Sequence, residues 1–301
     1  MEAVRVLAPH LVLVDWGPMT LTISAWAGGR PRPVMAAQAA RRALACLAEL
    51  ADFQNYLKRR AVDLPPDRPL PAVVARALAG ARLAPGELTP LAAVAGAVAD
   101  EVADRTLELG ADKVIVNNGG DIALRLLGRR RALVGLKPPD GPDGSPAPLL
   151  GRLRVSAGMG LGGVASSGWQ GRSLSPGVAD LVTVWAADAA TADAAATLIA
   201  DQVDVDCPAV LRAPARELDP DSDLGSRLVT RQVGQLTPAQ RLQALTSGLK
   251  QARGLHAAGA IAGCLVYLQG ELALLPGATG CPRLGLYGSG RVPPAGPIRV
   301  G

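Results

Sequence analysis

The sequence of 301 residues has few aromatic side chains and few cysteines, and the cysteines form no metal-binding pattern. Phe, Trp and Tyr together make up 3% of the chain, so we expect no aromatic platform for single-stranded nucleic acid. The four cysteines include no CxxC pair, and the chain has only two histidines, so no zinc pattern can be drawn. Scattered cysteines are typical of unpaired thiols in a reducing compartment.

Targeting signals and long apolar runs are also missing. The first residues, Met1–Val6, show no basic segment followed by an apolar one and no lipidation cysteine, and no apolar run approaches the length of a membrane span. The net charge of +5 is spread over 31 basic and 26 acidic residues. Its one tight cluster, Arg129–Arg131, is expected to be a solvated turn, with weak contact to an anion as the alternative. We therefore expect a cytoplasmic protein with neither a nucleic-acid nor a membrane partner.

Hydrophobic residues, mostly Ala, Val and Leu, make up 49% of the chain and predict a folded globular protein. Residues 4–27 alternate as strands of a meander, and residues 33–60 have the apolar spacing of an amphipathic helix. A further helix is expected after Thr89-Pro90, with Thr89 as its N-cap. Residues 122–136 predict a hairpin around the arginine cluster. Strands grouped in hairpins, with helices inserted between them, predict an α+β fold with antiparallel sheets.

A strand predicted at Val114–Val116 ends in a run of amides, glycines and one carboxylate. Glycines let a backbone approach a ligand closely, amides can bind a nucleobase edge or a ribose, and a carboxylate can accept a hydrogen bond. Asn-Gly and Gly-Asp are also ordinary turn pairs, so a simple strand-to-strand turn stays open. The residues of this run are Asn117, Asn118, Gly119, Gly120 and Asp121.

Glycines and hydroxyl groups follow in the next part of the chain. Gly158–Gly163 contains GxGxxG after a strand, but a dinucleotide-binding fingerprint needs a helix directly after it, and here more Ser and Gly residues follow. We expect instead a loop or strand that a ligand can approach closely. Five further positions suit phosphate oxygens and suit plain turns as well: Ser166, Ser167, Gly168, Ser173 and Ser175.

A helix predicted at Asp188–Gln202 carries Asp193 and Thr197 four residues apart, so the two side chains share one face. Carboxylate and hydroxyl oxygens are hard donors that suit Mg²⁺ shared with substrate phosphates. The alternative is that Thr197 bonds to a backbone carbonyl and Asp193 is simply exposed. Asp188 is in position to cap the helix.

Taken together, the order and spacing of these segments resemble the ApbE-like superfamily, which includes the Mg²⁺-dependent FAD:protein FMN transferases. The chain is also similar to the soluble, largely uncharacterised branch of that superfamily through Val94–Asp100 and Gly171–Ser175. The resemblance covers roughly residues 10–205. Its segments are Asn117–Asp121, Ala165–Gly168, Ser175–Gly177, Val182–Val184 and Ala192–Thr197.

The resemblance implies an ApbE-like α+β fold, related to the T-fold, with a ligand cleft between sub-layers. It implies that Asp193 and Thr197 bind the metal together with a backbone carbonyl, and that the Asn117–Asp121 turn and Ser166–Gly168 face a nucleotide-like ligand. It also divides the chain into an ApbE-like core at residues 1–205 and a C-terminal extension at 206–301, consisting of a helix, a hairpin and a Gly/Pro-rich tail.

The chain departs from the flavin transferases at two places. Their Lys-Gly pair before the Gly-Gly-Asp strand is matched here by Ala95-Gly96, and their His-rich segment before Asp-Pro is matched by Arg172–Pro176, which contains no His. The resemblance therefore implies a retained ligand-binding frame without the transferase-specific groups. This weakens the case for transfer of FMN to protein.

From the residues and the resemblance we expect Mg²⁺-dependent binding or transfer chemistry on a flavin-, pterin- or nucleotide-like phosphoester in cofactor metabolism. FAD or another flavin- or pterin-like molecule is the expected ligand, and Asp121 is the candidate general base. The alternative is a non-catalytic cofactor-binding protein that has lost the FMN transferase chemistry, and a third possibility is a scaffold whose glycines serve only tight packing. Formation of a homo-oligomer stays open.

Overall fold

The computed structural model describes residues 3–65, 68–140, 144–275 and 283–286. The chain forms two compact units, and several elements contribute residues to both of them. The first unit consists of Met1–Ala132, Val155–Ala165 and Trp185–Ala194, and the second of Leu133–Arg154, Ser166–Val184 and Ala195–Gly301. The predicted division into a core and an extension at residue 205 stays a prediction.

The first unit contains a run of strands interrupted by helices. Its strands are β1 (Val4–Ala8), β2 (Leu11–Trp16), β3 (Met19–Ala27), β4 (Arg30–Pro31), β5 (Lys113–Asn118) and β6 (Asp121–Leu126). Its helices are α1 (Pro33–Asp52), α2 (Gln54–Leu57), α3 (Ala72–Ala81) and α4 (Val94–Glu108), with 3₁₀ turns at Ala61–Asp63 and Pro90–Ala93. The meander predicted for residues 4–27 is confirmed by β1, β2 and β3.

The remaining elements belong to the second unit or are divided between the two. The divided elements are β7 (Arg131–Leu136), β8 (Gly151–Ser156), β9 (Gly163–Ser167), β10 (Leu181–Ala186) and α5 (Ala189–Gln202). The second unit adds β11 (Val210–Pro214), α6 (Ala215–Leu218), β12 (Leu228–Val233), α7 (Pro238–Ala257), β13 (Gly263–Leu268), β14 (Glu271–Leu275) and β15 (Arg283–Leu286). The rest of the Gly/Pro-rich tail lies outside the described residues.

In the first unit the strands form an antiparallel sheet in the order β1-β2-β3-β5-β6, and the first residues of β9 continue it through the pairing of Ile122 with Val164. Side chains alternate between the two faces of a strand, and the residues of β2, β3 and β5 on one face are buried, whereas β1 is largely exposed. Helices α1 and α4 pack against this sheet and against each other. The residues of the covered face include Val12, Val14, Leu21, Ile23, Val114 and Val116, all 0% exposed.

The described residues of the second unit include two antiparallel pairs, most of the sheet β15-β8-β7 and the long helix α7. Strands β11 and β12 pair with each other, and β13 and β14 form a hairpin against which α7 packs. The hairpin turn contains Gln269 at φ 44° and Gly270 at φ 90°. Helix α7 begins with a capping box, in which the Gln240 N–H donates to Thr237 Oγ1 and Gln240 Oε1 accepts from the Thr237 N–H.

The α+β prediction is confirmed, but two local predictions need correction. The helix predicted for residues 33–60 ends at Asp52, and α2 follows after Phe53. The helix expected directly after Thr89-Pro90 starts with a 3₁₀ turn, so α4 begins only at Val94, and Thr89 makes no side-chain capping bond to that turn.

The hairpin predicted for residues 122–136 is wrong, because β6 and β7 do not pair. Both edges of β6 are taken, one by β5 through the Gly-Gly turn and the other by β9. Strand β7 pairs with β8, which in turn pairs with β15. No helix in the described ranges is both long and apolar enough to cross a membrane.

Candidate functional site

The run of amides and glycines after β5 forms a tight hairpin turn in the first unit. Asn118 pairs with Asp121 across it, and Gly119 and Gly120 have φ angles of 68° and 119°, which favour glycine. The Gly120 N–H donates to Asn117 Oδ1 at 2.9 Å. A Cβ added to Gly120 would meet nothing within 4 Å, so the space beside this residue is open. The turn alternative and a ligand-facing turn are both compatible with this geometry.

Asn118 connects this turn to the start of α4. Its side chain is 9% exposed, and its Nδ2 donates to the backbone oxygen of Ala95 at 3.1 Å. A buried amide of this kind requires a hydrogen-bond partner. The bond therefore fixes the turn against the first turn of α4.

Asp193 of α5 reaches the same helix start. The Gly96 N–H donates to Asp193 Oδ2 at 2.9 Å. A Cβ on Gly96 would lie 2.2 Å from the carbonyl oxygen of Ala189, so the backbones of α4 and α5 are in direct contact here. The predicted turn and the predicted carboxylate thus meet at two consecutive residues, Ala95 and Gly96.

The electrostatic surroundings of Asp193 are acidic. Burial raises the pKa of the Asp193 carboxyl well above its ordinary value, and the neighbouring carboxylate of Asp121 raises it further. The backbone N–H groups of Gly96 and Ala95 act in the opposite direction, and Asp100 adds a smaller upward contribution. Negative charges held together with little water favour either a proton or a bound cation.

Two charged residues near the site were not among the predicted ones. Asp100 is 0% exposed on α4, and Arg125 of β6 bonds to it at 3.0 Å and to Asp104 at 2.5 Å. The pKa of Asp100 is raised by burial, an effect that the charge of Arg125 opposes. The sequence carried a signal for this pair, because a lone Asp on a small-residue face needs a partner when it is buried.

The first amides of α5 are all bonded to side chains of the protein. The N–H groups of Ala189 and Ala190 donate to Asp100 Oδ2 at 2.9 and 3.0 Å, and the N–H of Thr191 donates to Asp188 Oδ1 at 2.7 Å. The expected Asp188 cap is thereby confirmed. Because these donors are already satisfied, the start of α5 is a structural joint, not an anion-binding helix end.

The GxGxxG segment also has a packing role. Gly158 and Gly160 have φ angles of 81° and 68° in a turn, and strand β9 follows, not a helix. A Cβ on Gly163 would lie 2.1 Å from the carbonyl oxygen of Asp188. The expectation that this segment is no dinucleotide fingerprint is confirmed, and Gly163 makes a close backbone contact.

The donor set of the first unit fits Mg²⁺, the metal that the superfamily resemblance implies. Asp121 and Asp193 supply hard oxygen atoms, and Mg²⁺ typically takes one or two carboxylates while it keeps several waters or phosphate oxygens. Within the described ranges, no group of three or more His, Cys, Asp or Glu side chains could hold a metal ion. A fully protein-enclosed cage of these residues is therefore absent there, while an open, partly hydrated Mg²⁺ site is compatible with the two carboxylates.

The predicted hydroxyl positions lie in the second unit. Ser166 is exposed, and its Oγ lies 2.9 Å from Thr183 Oγ1. A Cβ on Gly168 would lie 2.7 Å from the carbonyl oxygen of Asp180, so this glycine serves a close backbone contact. Ser167 is half-buried at the end of β9.

Ser175 is turned inward, whereas Ser173 is exposed. Ser175 is 3% exposed, and its hydroxyl donates to Asp201 at 2.8 Å and accepts from the Gly177 N–H at 3.2 Å. These bonds occupy the hydroxyl inside the unit, and its predicted contact with a ligand stays a prediction. Thr197 follows Asp193 by one turn of α5 and belongs to the second unit. Its predicted role as a metal ligand stays a prediction.

The chain belongs to the family described as AbpE bacteria, whose family model matches residues 5–274. This match covers most of the chain and confirms the membership of the ApbE-like superfamily that the sequence indicates.

Curated relatives of the chain are UPF0280 proteins. It is 47% identical over 126 residues to the one from Methanopyrus kandleri, with 41% of this chain and 48% of that protein covered. It is 36% identical over 167 residues to the one from Methanothrix thermoacetophila, with coverages of 56% and 66%. For the one from Methanococcus aeolicus the identity is 34% over 164 residues, with coverages of 51% and 62%. The chain thus spans about half to two thirds of the length of these relatives.

Two solved structures are similar to the chain at low identity. The flavinyl transferase ApbE of Pseudomonas stutzeri, in its apo form, is 17% identical with a TM-score of 0.38, covering 65% of this chain and 85% of that one. The ApbE protein of Thermotoga maritima is 13% identical with a TM-score of 0.47, and the coverages are 89% and 97%.

Proposed function

We propose that this ApbE-like protein binds Mg²⁺ at Asp121 and Asp193, and that the metal holds the phosphate oxygens of a phosphoester beside the Asn117–Asp121 turn. The observation that carries the proposal is the meeting of the turn and the α5 carboxylate at one place. Asn118 Nδ2 bonds to Ala95 O at 3.1 Å, and Asp193 Oδ2 bonds to the N–H of the next residue at 2.9 Å.

The charges around Asp193 support a cation at this position. The charged groups that raise its pKa are Asp121 and Asp100, both acidic, and Arg125 already offsets the charge of Asp100 at 3.0 Å. A divalent cation between Asp121 and Asp193 would remove their repulsion, because an opposite charge nearby favours the ionised form of a carboxyl group.

The chain's own residues would bind and orient the ligand. The open side of Gly120 allows close approach of a phosphate or sugar to the backbone. Asn117 holds the turn by accepting from the Gly120 N–H at 2.9 Å. When bound, Mg²⁺ would neutralise phosphate charge and polarise the phosphoryl group. The general-base role expected for Asp121 from the sequence is not part of this proposal, because a carboxylate that binds Mg²⁺ is a poor base.

The superfamily and the site together support the proposed ligand class. A flavin-, pterin- or nucleotide-like phosphoester supplies the phosphate oxygens that Mg²⁺ prefers and a polar ring or sugar for the amides of the turn. Ala95 stands where the flavin transferases carry a lysine, and Arg172–Pro176 contains no histidine. We therefore propose binding or hydrolytic transfer chemistry on the phosphoester ahead of FMN transfer to protein.

A second candidate is a cofactor-binding protein without catalysis, and one observation favours it. Asp193 already has a structural task, because it accepts the Gly96 N–H at the start of α4 and satisfies a donor that has no partner within the helix. A carboxylate kept for this capping bond needs no metal. The two candidates differ in whether Mg²⁺ binding depends on Asp193.

Titration calorimetry with MgCl₂ tests the metal site. Asp193→Asn keeps the shape of the side chain and removes its charge, and we expect Mg²⁺ affinity to fall at least about tenfold, in line with the loss of an anionic oxygen ligand. Asp188→Asn is the matched control, since Asp188 caps the same helix through Thr191 and is not a proposed ligand. Equal Mg²⁺ affinity in wild type and Asp193→Asn would contradict the proposal that Asp193 binds Mg²⁺.

Mass spectrometry of small molecules that co-purify with the protein identifies the ligand without assuming it. A flavin, pterin or nucleotide phosphoester is the expected result, and FAD is the first candidate for turnover to AMP and FMN in the presence of Mg²⁺. Binding without turnover would select the second candidate. A co-purifying molecule that lacks a phosphate group would contradict the proposed ligand class.

A further inference from the structure

Asp100 is a fully buried carboxylate that lies one turn after Gly96 on α4. It is 0% exposed. Its Oδ2 accepts from the N–H groups of Ala189 and Ala190 at 2.9 and 3.0 Å, and its Oδ1 accepts from Arg125 Nη2 at 3.0 Å. Residues 189 and 190 begin α5, so Asp100 satisfies two donors that have no partner within that helix.

The capping is reciprocal between the two helices. Asp100 of α4 accepts at the start of α5, and Asp193 of α5 accepts from the Gly96 N–H at the start of α4. In α4, Asp100 lies four residues after Gly96, whose N–H bonds to Asp193. In α5, Asp193 lies four residues after Ala189, whose N–H bonds to Asp100. Residues at this spacing share a helix face. A displacement of either helix start therefore displaces the carboxylate that holds the other.

Glycine backbones hold the start of α5 from several sides. If each glycine carried a Cβ, that atom would overlap a carbonyl oxygen at or just before the helix start. The distances are 2.8 Å from Gly80 to Ala190 O, 2.2 Å from Gly96 to Ala189 O and 2.1 Å from Gly163 to Asp188 O. These contacts and the bonds to Asp100 together restrict movement of the start of α5.

We infer that Asp100 is a positioning residue for the proposed Mg²⁺ site, because it fixes the start of α5 and thereby the Asp193 carboxylate. Asp100 is not itself a proposed ligand. The inference for the metal rests on the proposed function, whereas the coupling between the two helix starts does not depend on it.

Asp100→Asn tests the inference, with Asp104→Asn as the matched control. Asp104 shares the partner Arg125 at 2.5 Å and also binds Arg76 at 2.6 Å, so both of its carboxylate oxygens bond to arginines, whereas the α5 amides bond to Asp100. Since loss of a group that orients a ligand typically weakens metal binding 10- to 100-fold, we expect the Mg²⁺ dissociation constant to rise at least about tenfold in Asp100→Asn and less than about threefold in Asp104→Asn.

Titration calorimetry at a temperature well below melting gives these constants for fully folded protein. A purely structural role of Asp100 would lower the free energy of unfolding and leave the Mg²⁺ dissociation constant unchanged. If Asp100→Asn does not fold, Arg125→Lys replaces it, since it keeps the charge and loses the planar fork that orients Asp100. Wild-type Mg²⁺ affinity in Asp100→Asn, or in Arg125→Lys where Asp100→Asn does not fold, would overturn the inference.

Hydrogen exchange of the Gly96 N–H, measured in EDTA, tests the coupling without metal. Asp193 accepts from this amide, whereas Asp100 accepts from the amides of Ala189 and Ala190. We therefore expect faster exchange of the Gly96 N–H in Asp100→Asn and unchanged exchange in Asp104→Asn. If the wild type binds no Mg²⁺ but Gly96 exchange responds to Asp100→Asn, the proposed function and the metal-positioning role fail while the helix coupling stands. If the Gly96 N–H exchanges in Asp100→Asn at the wild-type rate, the inferred coupling between the starts of α4 and α5 is wrong.

Discussion

Asp112 and Asp180 are two aspartates whose carboxyl pKa values are shifted in opposite directions. Their contributions to the free energy of unfolding therefore depend on pH in opposite ways. Asp112 accepts from Arg130 Nη2 at 2.6 Å, and this bond lowers the pKa of its carboxyl below 3.8. Burial raises the pKa of the Asp180 carboxyl above 3.8, although the Gln269 N–H donates to it at 2.6 Å. Asp112 therefore binds fewer protons in the folded state than in the unfolded state, and Asp180 binds more.

We predict that Asp112→Asn and Asp180→Asn change the pH dependence of unfolding in opposite directions. The contribution of Asp112 is present above pH 3.8 and is lost as the pH falls through its lowered pKa. The contribution of Asp180 is present below pH 3.8 and is lost as the pH rises through its raised pKa. Urea unfolding of both variants and wild type, from acidic to neutral pH, measures the two slopes.

Each variant serves as the control for the other in this experiment. Both replace an aspartate by an amide of the same shape, so a general effect of the substitution would shift the free energy of unfolding without changing its pH dependence. Asp180→Asn should remove a fall in stability with rising pH, and Asp112→Asn should remove a rise. A shared direction of change would contradict the assignment of burial and ion pairing as the causes.

At the residue scale, the sequence identified several of the important polar residues but not the groups to which they bond. Asn118 was predicted because amides follow an apolar strand, and Asp193 because it shares a helix face with Thr197. The structure brings both to the start of α4. Ser175 was predicted because a hydroxyl suits a phosphate oxygen, yet its hydroxyl is turned to Asp201. Asp100 was missed as a cap, because its bonded partner Ala189 is 89 positions away.

Helix α7 offers a matched pair of glycines that separates packing from helix propensity. A Cβ on Gly248 would lie 2.3 Å from Val203 Cγ2, whereas a Cβ on Gly254 would meet nothing within 4 Å. Both glycines are in the interior of the same helix, and Gly254 is exposed. Gly248 therefore permits close packing, and Gly254 has no such role.

We predict that Gly254→Ala stabilises the protein by up to about 1 kcal/mol, because alanine is the better helix former by that amount. Gly248→Ala should destabilise it by about 1–3 kcal/mol, since overpacking outweighs the gain in propensity. Urea unfolding of both variants gives the two differences in free energy. Stabilisation by Gly248→Ala would mean that Val203 moves aside without cost.

At the element scale, local signals predicted α7 and the β13–β14 hairpin. The capping box of Thr237 with Gln240 and the Gln269-Gly270 turn are both contained within four residues. Pairing of β6 was mispredicted, because the strand that occupies its second edge, β9, begins about forty residues later. Sequence neighbours usually pair, but here Gly163 and Val164 of β9 pair with that edge of β6 instead of β7.

At the scale of the whole molecule, two buried cysteines report on the two units separately. Cys46 belongs to the first unit and Cys264 to the second, and both are 0% exposed. Burial raises the pKa of each thiol to about 12. Cys207 is only half-buried, and Cys281 lies outside the described residues.

We predict that alkylation of the native protein at neutral pH modifies Cys207 first and reaches Cys46 and Cys264 only through opening of their units. The thiolate is the reactive form, and burial reduces both its population and its accessibility. Peptide-resolved mass spectrometry in a Cys281→Ser background measures the three rates as denaturant is added. Modification of Cys46 or Cys264 as fast as Cys207 without denaturant would contradict the described burial.

The sequence by itself determined the α+β class, the Asp188 cap of α5, the capped start of α7 and the tight turn between β13 and β14. These features depend on propensity, periodicity and turn chemistry within a few residues. Only the tertiary structure decided that Asp193 meets Gly96, 97 positions earlier, and that Asp100 returns the same bond to α5. The physical reason is that a buried carboxylate needs donors, and which amides are within reach depends on how the helices pack.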